Sequence, residues 1–340
     1  MQLFIDEYSR FHQGKSMIFA IQESQYLEDH KADIVEDLNM LVKMKVSITL
    51  VHTIPPENIS LQQYFLGSVP GIHIIRAPKD HDFCEEALQH AAGKDKLIYL
   101  TREALIDCDG KRINAISTQK VHEKCFPTEA NTAPSYCDAL KIQSTHVRNC
   151  LEMICKKVHL GLLPRTHFIP LQDDHAIKNE LFSIDGVGTI IEDDFSEPTI
   201  TPATEEEVDI IFGIFEIHKK EKYLKPRSKE YIREHLSTFY VAHIDKIPVG
   251  CVEIKEIDPT TYELAGLAVI KTFLSLKIGS RLIKLVEKHA LTDKKDLVCI
   301  TPNPELQRSL TKNGYIEDLT GKYKWRAEQS PRAVLYVKNG

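Results

Sequence analysis

Apolar and polar positions along the first half of the chain alternate between a helical period and a strand period. Met17–Ile21 is a short apolar run, and Ile34, Leu38, Leu41 and Val42 share one face of a helix predicted from Asp33 to Met44. Ser47–His52 is β-branched and stops short of Pro55-Pro56, which reads as a strand. Ile72–Ile75, a helix over Phe83–Ala92 and a strand over Lys96–Leu100 continue the alternation. Leu105–Ile116 predicts a hairpin around Asp107-Cys108-Asp109-Gly110. After a polar loop from Cys125 to Tyr136, Val147, Leu151, Ile154 and Val158 mark another helix. A strand at Thr166–Leu171, a helix near His175–Phe182 and a strand at Thr189–Ile191 close this half. Such alternation predicts a largely parallel sheet covered by helices.

The acidic, turn-rich Glu192–Pro198 marks a boundary, giving expected domains 1–195 and 196–340. Thr204 with Glu207 forms a capping-box pattern before Val208, Ile211, Phe212 and Phe215. A second helix follows, then strands at Phe239–Ile244, Val249–Ile257 and Tyr262–Val269. A helix from Gly279 to Ala290, a strand at Leu297–Thr301, a helix to Asn313 and final strands to Lys338 complete the pattern.

Composition narrows the function. Lys and Arg total 43 against 49 Asp and Glu, so the net charge of −6 disfavours nucleic-acid binding. No apolar run is long enough for a membrane span, and the N-terminus lacks a signal-peptide pattern, so a cytoplasmic location is expected. The eight cysteines contain no Cys-x-x-Cys pair, and reduced, mostly buried thiols are expected. Cys108, His122, Cys125 and Cys137 fit no metal-site spacing, and no metal is expected.

The strand ending at Leu267-Ala268-Val269 runs through a turn into the helix beginning near Gly279. A helix start offers free N–H groups to a phosphate, with Gly279 allowing close approach and Ser280 adding a hydroxyl. The order of elements after residue 195 resembles the GNAT acyl-CoA-dependent N-acetyltransferase fold. That family's Arg/Gln-x-x-Gly-x-Gly/Ala loop falls on Leu274–Gly279, where only the last glycine remains and Lys277 offers a cation.

Three further segments resemble the bacterial N-acetylglutamate synthase family: Arg227-Ser228-Lys229-Glu230, Cys251-Val252-Glu253-Ile254-Lys255 and Glu263-Leu264-Ala265-Gly266-Leu267-Ala268-Val269. The resemblance implies that acetyl-CoA donates acetyl to the α-amine of L-glutamate, for arginine biosynthesis. Arg227 and Lys255 would hold the glutamate carboxylates, Glu263 would help remove the ammonium proton, and main-chain groups of Leu267, Ala268 and Val269 would meet the cofactor. Read without it, Arg227 is a surface charge, and Lys255 and Glu263 a cross-strand pair. The family's C-terminal Arg-x-Ser is not clearly present. Tyr323-Lys324-Trp325-Arg326 resembles its Tyr-Asn-(Tyr/Trp)-Gln, leaving Ser330, Arg332 or Arg326 as substitutes.

The same family carries an amino-acid-kinase-like domain in front. Arg165-Thr166-His167-Phe168-Ile169, with Glu180-Leu181-Phe182 and Gly186-Val187-Gly188-Thr189, resembles that domain. In arginine-regulated members these positions imply an effector site, here His167, Glu180 and Gly186; the bland reading is a histidine satisfied within the fold and a turn glycine. Ile21-Gln22-Glu23-Ser24 replaces the expected glycine pair, and the stretch from Pro56 to Lys96 is short, so no kinase activity is expected. The overall expectation is α/β: a truncated amino-acid-kinase-like αβα domain followed by a GNAT domain. Acetylation of another amine and a non-catalytic regulatory or assembly role are the alternatives. Oligomeric state and arginine response stay open.

Overall fold

The computed structural model describes all residues except 1–4, 23, 56, 79–81, 126–134, 144–146, 184–185, 195–197, 219–222, 245–246, 271–272, 274–276, 331 and 339–340. Most of the loop expected after Cys125, and Leu274–Leu276 of the turn before Gly279, lie outside the described residues. The chain divides into two compact units, Met1–Phe195 and Ser196–Gly340.

The first unit runs α1 (Ile5–His12), β1 (Ser16–Ile21), α2 (Ser24–Asp29), α3 (Lys31–Lys43), β2 (Ser47–His52), α4 (Ile59–Ser68), β3 (His73–Arg76), α5 (Phe83–Ala91), β4 (Lys96–Thr101), β5 (Ala115–Ser117), α6 (Thr118–Cys125), α7 (Tyr136–Ala139), α8 (Arg148–His159), β6 (Thr166–Pro170), α9 (Ala176–Phe182) and β7 (Thr189–Glu192). Its sheet has the order β3-β2-β1-β4-β6-β7-β5. Among the described residues the pairings from β3 through β6 are parallel, as is that of β7 with β5, while β6 and β7 run antiparallel. Strands buried on both faces explain the continuous apolar runs. Ile18, Leu97, Tyr99 and Phe168 from the strands pack with Ala87 and Leu88 of α5 and Leu151 and Ile154 of α8.

The expected hairpin does turn at Asp107–Gly110, with the Ile106–Arg112 bridge and the Ile113 N–H donating to the Leu105 carbonyl at 2.9 Å, before Ala115–Ser117 leaves to pair with β7. The structure departs from the pattern reading at several other places. Helix α4 was not read from the pattern. It carries Gln62, Gln63 and Gly67, which blur its periodicity, but Asn58 caps it by accepting from the Leu61 N–H at 3.3 Å. Cys84 and Cys150, both buried, are joined as a disulfide rather than left reduced. Among the described residues no group of His, Cys, Asp or Glu could hold a metal ion; Cys108 is exposed while Cys137 is buried.

The second unit runs β8 (Thr199–Pro202), α10 (Val208–His218), α11 (Lys229–Glu234), β9 (Phe239–Ile244), β10 (Ile247–Asp258), β11 (Thr261–Val269), α12 (Ile278–Asp293), β12 (Asp296–Thr301), α13 (Pro304–Lys312), β13 (Ile316–Glu317), α14 (Lys324–Ala327) and β14 (Val334–Lys338). A short 3-10 turn precedes α10, and the Thr204 N–H donates to Glu207 Oε2 at 2.8 Å. The sheet order is β13-β14-β12-β11-β10-β9-β8, antiparallel except for the parallel pair β11 and β12. Leu282, Ile283 and Val286 of α12 are buried, as are Ile211, Ile214 and Phe215 of α10; both helices pack on β10 and β11.

Candidate active site

Two backbone irregularities open the second sheet. The ladder between β11 and β12 covers only Thr261–Glu263 and Asp296–Val298; no pairing of their later residues is recorded. On the other side of β11, register shifts so that Cys251 faces Ala268 while Glu253 faces Ala265: three steps on β11 match two on β10. The extra residue is a bulge around Gly266, whose φ of +56° suits glycine. A Cβ there would also come 3.0 Å from Phe215 Cζ.

The parting strands enclose a cavity of about 500 Å³, with Leu264–Leu267 on one wall and Cys299–Pro302 on the other. Lys225, Arg227, Arg326 and Arg332 line it with Glu263 and Ser330, four cations against one carboxylate. A second cavity of about 620 Å³ shares Tyr223, Leu224, Leu267, Thr301 and Leu306 with the first. It brings together Leu267, Ala268 and Val269 with Lys277, Gly279 and Ser280 at the start of α12. Arg308 of α13 adds a cation that sequence reasoning missed. Lys277 is exposed and left-handed at φ +57°. A Cβ on Gly279 would meet only Val269 Cγ2, at 3.8 Å, so packing does not require a glycine there. The Val269 carbonyl is not free: the His218 ring donates to it at 3.0 Å.

The charged residues pair differently from expectation. Arg227 is not an open fork: its Nη2 and Nε donate to Glu253 Oε2 at 2.9 and 3.3 Å, and its guanidinium lies 5.0 Å from the Tyr231 ring centre. Glu253 is 1% exposed on its side chain, and Tyr231 donates to its second oxygen at 2.5 Å. Glu263 is also not a free base. Arg326 grips both its oxygens, Nε at 2.8 Å and Nη2 at 2.7 Å. Lys255 sits opposite Glu263 in the ladder, yet the expected cross-strand ion pair is not recorded. Lys255 instead lines a third space of about 420 Å³ with Tyr231, Trp325, Arg227 and Arg326. Partial burial, with Arg326 nearby, holds the Lys225 ammonium below its ordinary pKa. Ser330 and Arg332, offered as substitutes for the missing Arg-x-Ser, both reach the first cavity. Glu253 was missed, although a lone carboxylate inside the apolar run 247–254 signals a buried partner.

In the first unit, His167, Glu180 and Gly186 do come together, but as a closed arrangement. His167 Nδ1 lies 2.8 Å from Glu180 Oε1, while Val187 and Gly188 N–H groups donate to Oε2 at 2.8 and 2.7 Å. Burial alone would raise the Glu180 carboxyl; these donors more than offset it, and its pKa is lowered. Burial, aided by Lys96, lowers that of His167 despite its carboxylate neighbour. A Cβ on Gly186 would come 2.6 Å from Glu180 Oε2, and one on Gly188 would come 2.2 Å from the Phe168 carbonyl. Both glycines therefore serve the packing of the carboxylate, with its oxygens already occupied. At the carboxyl ends of β1 and β4, where such sheets bind ligands, Ile21, Gln22, Tyr26, Tyr99 and Arg102 line only about 30 Å³.

Residues 203–315, within the second unit, match the model of the Acetyltransferase (GNAT) family. The chain is more particularly similar to amino-acid acetyltransferases. That of Pseudomonas fluorescens is 26% identical over 212 residues, covering 61% of this chain and 45% of the relative. That of Vibrio cholerae is 29% identical over 158 residues, covering 46% and 34%. The matched part thus spans less than half the length of these curated relatives. In fold, the whole chain is similar to N-acetylglutamate synthase from Neisseria gonorrhoeae, solved with coenzyme A and L-arginine. That match has a TM-score of 0.52 at 14% identity and covers 99% of this chain and 98% of the other. It extends over both units and supports the α/β assignment of each. No helix among the described residues is long and apolar enough to cross a membrane.

Proposed function

We propose that the chain is an acetyl-CoA-dependent N-acetyltransferase acting on the α-amine of an acidic amino acid, L-glutamate. The observation that carries this reading is the cation-rich cavity opening beside the bulge of β11 and adjoining the start of α12. The N–H groups of Ile278, Gly279 and Ser280, with Lys277 and Arg308, would receive the cofactor's pyrophosphate. The pantetheine arm would run between the parted strands, against main chain that β12 leaves unpaired. A thioester carbonyl beside Leu267 would find main-chain donors where its oxyanion develops. Lys225, Lys255, Arg326 and Arg332 exceed the charge needed to balance Glu263, which suits a substrate with two carboxylates. Glu263 lies on the same cavity as the residue to deprotonate the ammonium, since only the neutral amine attacks. We place this chemistry in a GNAT domain spanning 196–340, behind an amino-acid-kinase-like domain spanning 1–195. An arginine effector at His167, Glu180 and Gly186 would require the Glu180 carboxylate to give up its present partners.

The test is calorimetric titration of the purified protein with acetyl-CoA, alone and with L-glutamate, followed by mass detection of product. Acetyl-CoA binding with formation of N-acetylglutamate is the expected result. Binding without that product would reassign the acceptor to another amine. No acetyl-CoA binding would overturn the enzyme reading in favour of a regulatory or assembly role.

A further inference from the structure

The two arginine–carboxylate pairs of the second unit differ in what else holds them. Glu253 does not line the cavities described, and a tyrosine hydroxyl occupies its second oxygen, so the Arg227 pair is fixed from both sides. Glu263 and Arg326 both face the 500 Å³ cavity. Among the described residues, the recorded hydrogen bonds and ion pairs of Glu263 all come from Arg326. Among the described residues, Arg326 has one further recorded side-chain bond, Nη1 to Gln329 Oε1 at 2.9 Å. A guanidinium fork binds any carboxylate with the same geometry, so an acceptor carboxylate entering this cavity can compete with Glu263 for it.

We infer that the Arg326–Glu263 pair is a latch that the acceptor's own carboxylate opens. The acceptor carboxylate takes the fork, and Glu263 is left buried without its counter-ion. Its two oxygens, no longer occupied by the guanidinium, are then open to accept from the acceptor ammonium. Glu263 then accepts one proton from the acceptor ammonium, giving a neutral amine and a carboxylic acid. The amine nitrogen forms a bond to the thioester carbonyl carbon, the carbon–sulfur bond breaks, and the leaving thiolate takes the second nitrogen proton. An amine without a carboxylate leaves the latch shut and Glu263 occupied. The latch therefore selects carboxylate-bearing amines at the proton-transfer step and not only by binding.

This inference rests on the acetyl-transfer reading of the same cavity, so its test uses binding and not turnover. Glutarate, a dicarboxylate without an amine, serves as the probe in calorimetric titrations of unmodified protein, Glu263→Gln and Arg326→Gln, with acetyl-CoA titrated separately. Removing the competing charge in Glu263→Gln should tighten glutarate about tenfold, whereas Arg326→Gln should weaken it about tenfold. Acetyl-CoA affinity should hold in both variants, which also reports that they fold. Glutarate binding no tighter in folded Glu263→Gln would overturn the latch. Should that variant not fold, glutarate binding undiminished in Arg326→Gln would overturn it instead. Acetyl-CoA binding without glutarate binding would sink the latch and leave acetyl transfer standing. Glutarate binding without acetyl-CoA binding would do the reverse, the latch being judged on the glutarate results.

Discussion

Glu180 in the first unit and Glu263 in the second are almost equally hidden, with 3% and 5% of their side chains exposed. Their partners separate them. Glu180 is held by a histidine ring and two main-chain N–H groups, with Gly186 leaving room for its Oε2 and Gly188 for the Phe168 carbonyl behind it. None of those donors can turn away without moving the backbone or the ring. Glu263 is held by one flexible side chain at the wall of a cavity. A carboxylate closed by main chain is architecture, and one closed by a mobile fork is available to a ligand. Burial alone would have ranked them together.

The sharpest way to break this comparison is to neutralise both carboxylates. Glu180→Gln should cost about 1–3 kcal/mol of stability, because a neutral amide replaces charge-assisted bonds from donors that cannot move. Glu263→Gln should cost clearly less, since Arg326 can turn toward the cavity and water. Denaturant unfolding of both variants decides it, and equal losses would refute the distinction.

Glycines give a second contrast. Gly188→Ala drives a Cβ into the Phe168 carbonyl and should destabilise by about 3 kcal/mol. Gly279→Ala meets only a methyl group at ordinary distance and should leave stability within about 0.5 kcal/mol. It should instead weaken acetyl-CoA binding, by about tenfold in a titration, if that backbone approaches a pyrophosphate.

Acid should also distinguish the units. Burial, with Arg76 nearby, lowers the His52 pKa to about 4, and burial with Lys96 lowers that of His12 to about 3. Both are therefore neutral in the folded state where the unfolded chain binds protons. Stability of the first unit should fall as pH drops from 6.5 toward 4, by on the order of 3 kcal/mol for His52 alone. His52→Asn should flatten that slope in unfolding curves at pH 7.5 and 5. In the second unit, Glu207 has a lowered pKa: burial opposes ionisation, but bonds from His243 and Thr204 outweigh it. Its contribution is kept until the pH falls below the ordinary carboxylate range.

A single contact is at stake at Lys255, which makes no ion pair among the described residues and lines the third space. Lys255→Ala should raise the KM for L-glutamate about tenfold with little change in kcat, the loss of one charge-assisted contact. An unchanged KM would remove Lys255 from acceptor binding.

Hydrophobic period alone located most elements, because a buried face leaves its spacing in the sequence wherever it folds. Ser47–His52 and Phe239–Ile244 were read with the bounds they have in the structure. The strand, turn and helix that bring Leu267–Val269 beside Gly279 and Ser280 were also legible, as local features joined by a short connection. The residues expected at the effector position were likewise brought together, but their state was not readable: whether Glu180 is open or sealed depends on N–H groups seven and eight residues away. Charge pairing was decided by tertiary structure alone. Arg227 finds Glu253 26 residues on, and Glu263 finds Arg326 63 residues on. Those partners follow from the ladder register, the bulge at Gly266 and the parting of β11 from β12. An ion pair has no period of its own, so the chain sets which charges exist and the fold sets which of them a ligand can reach.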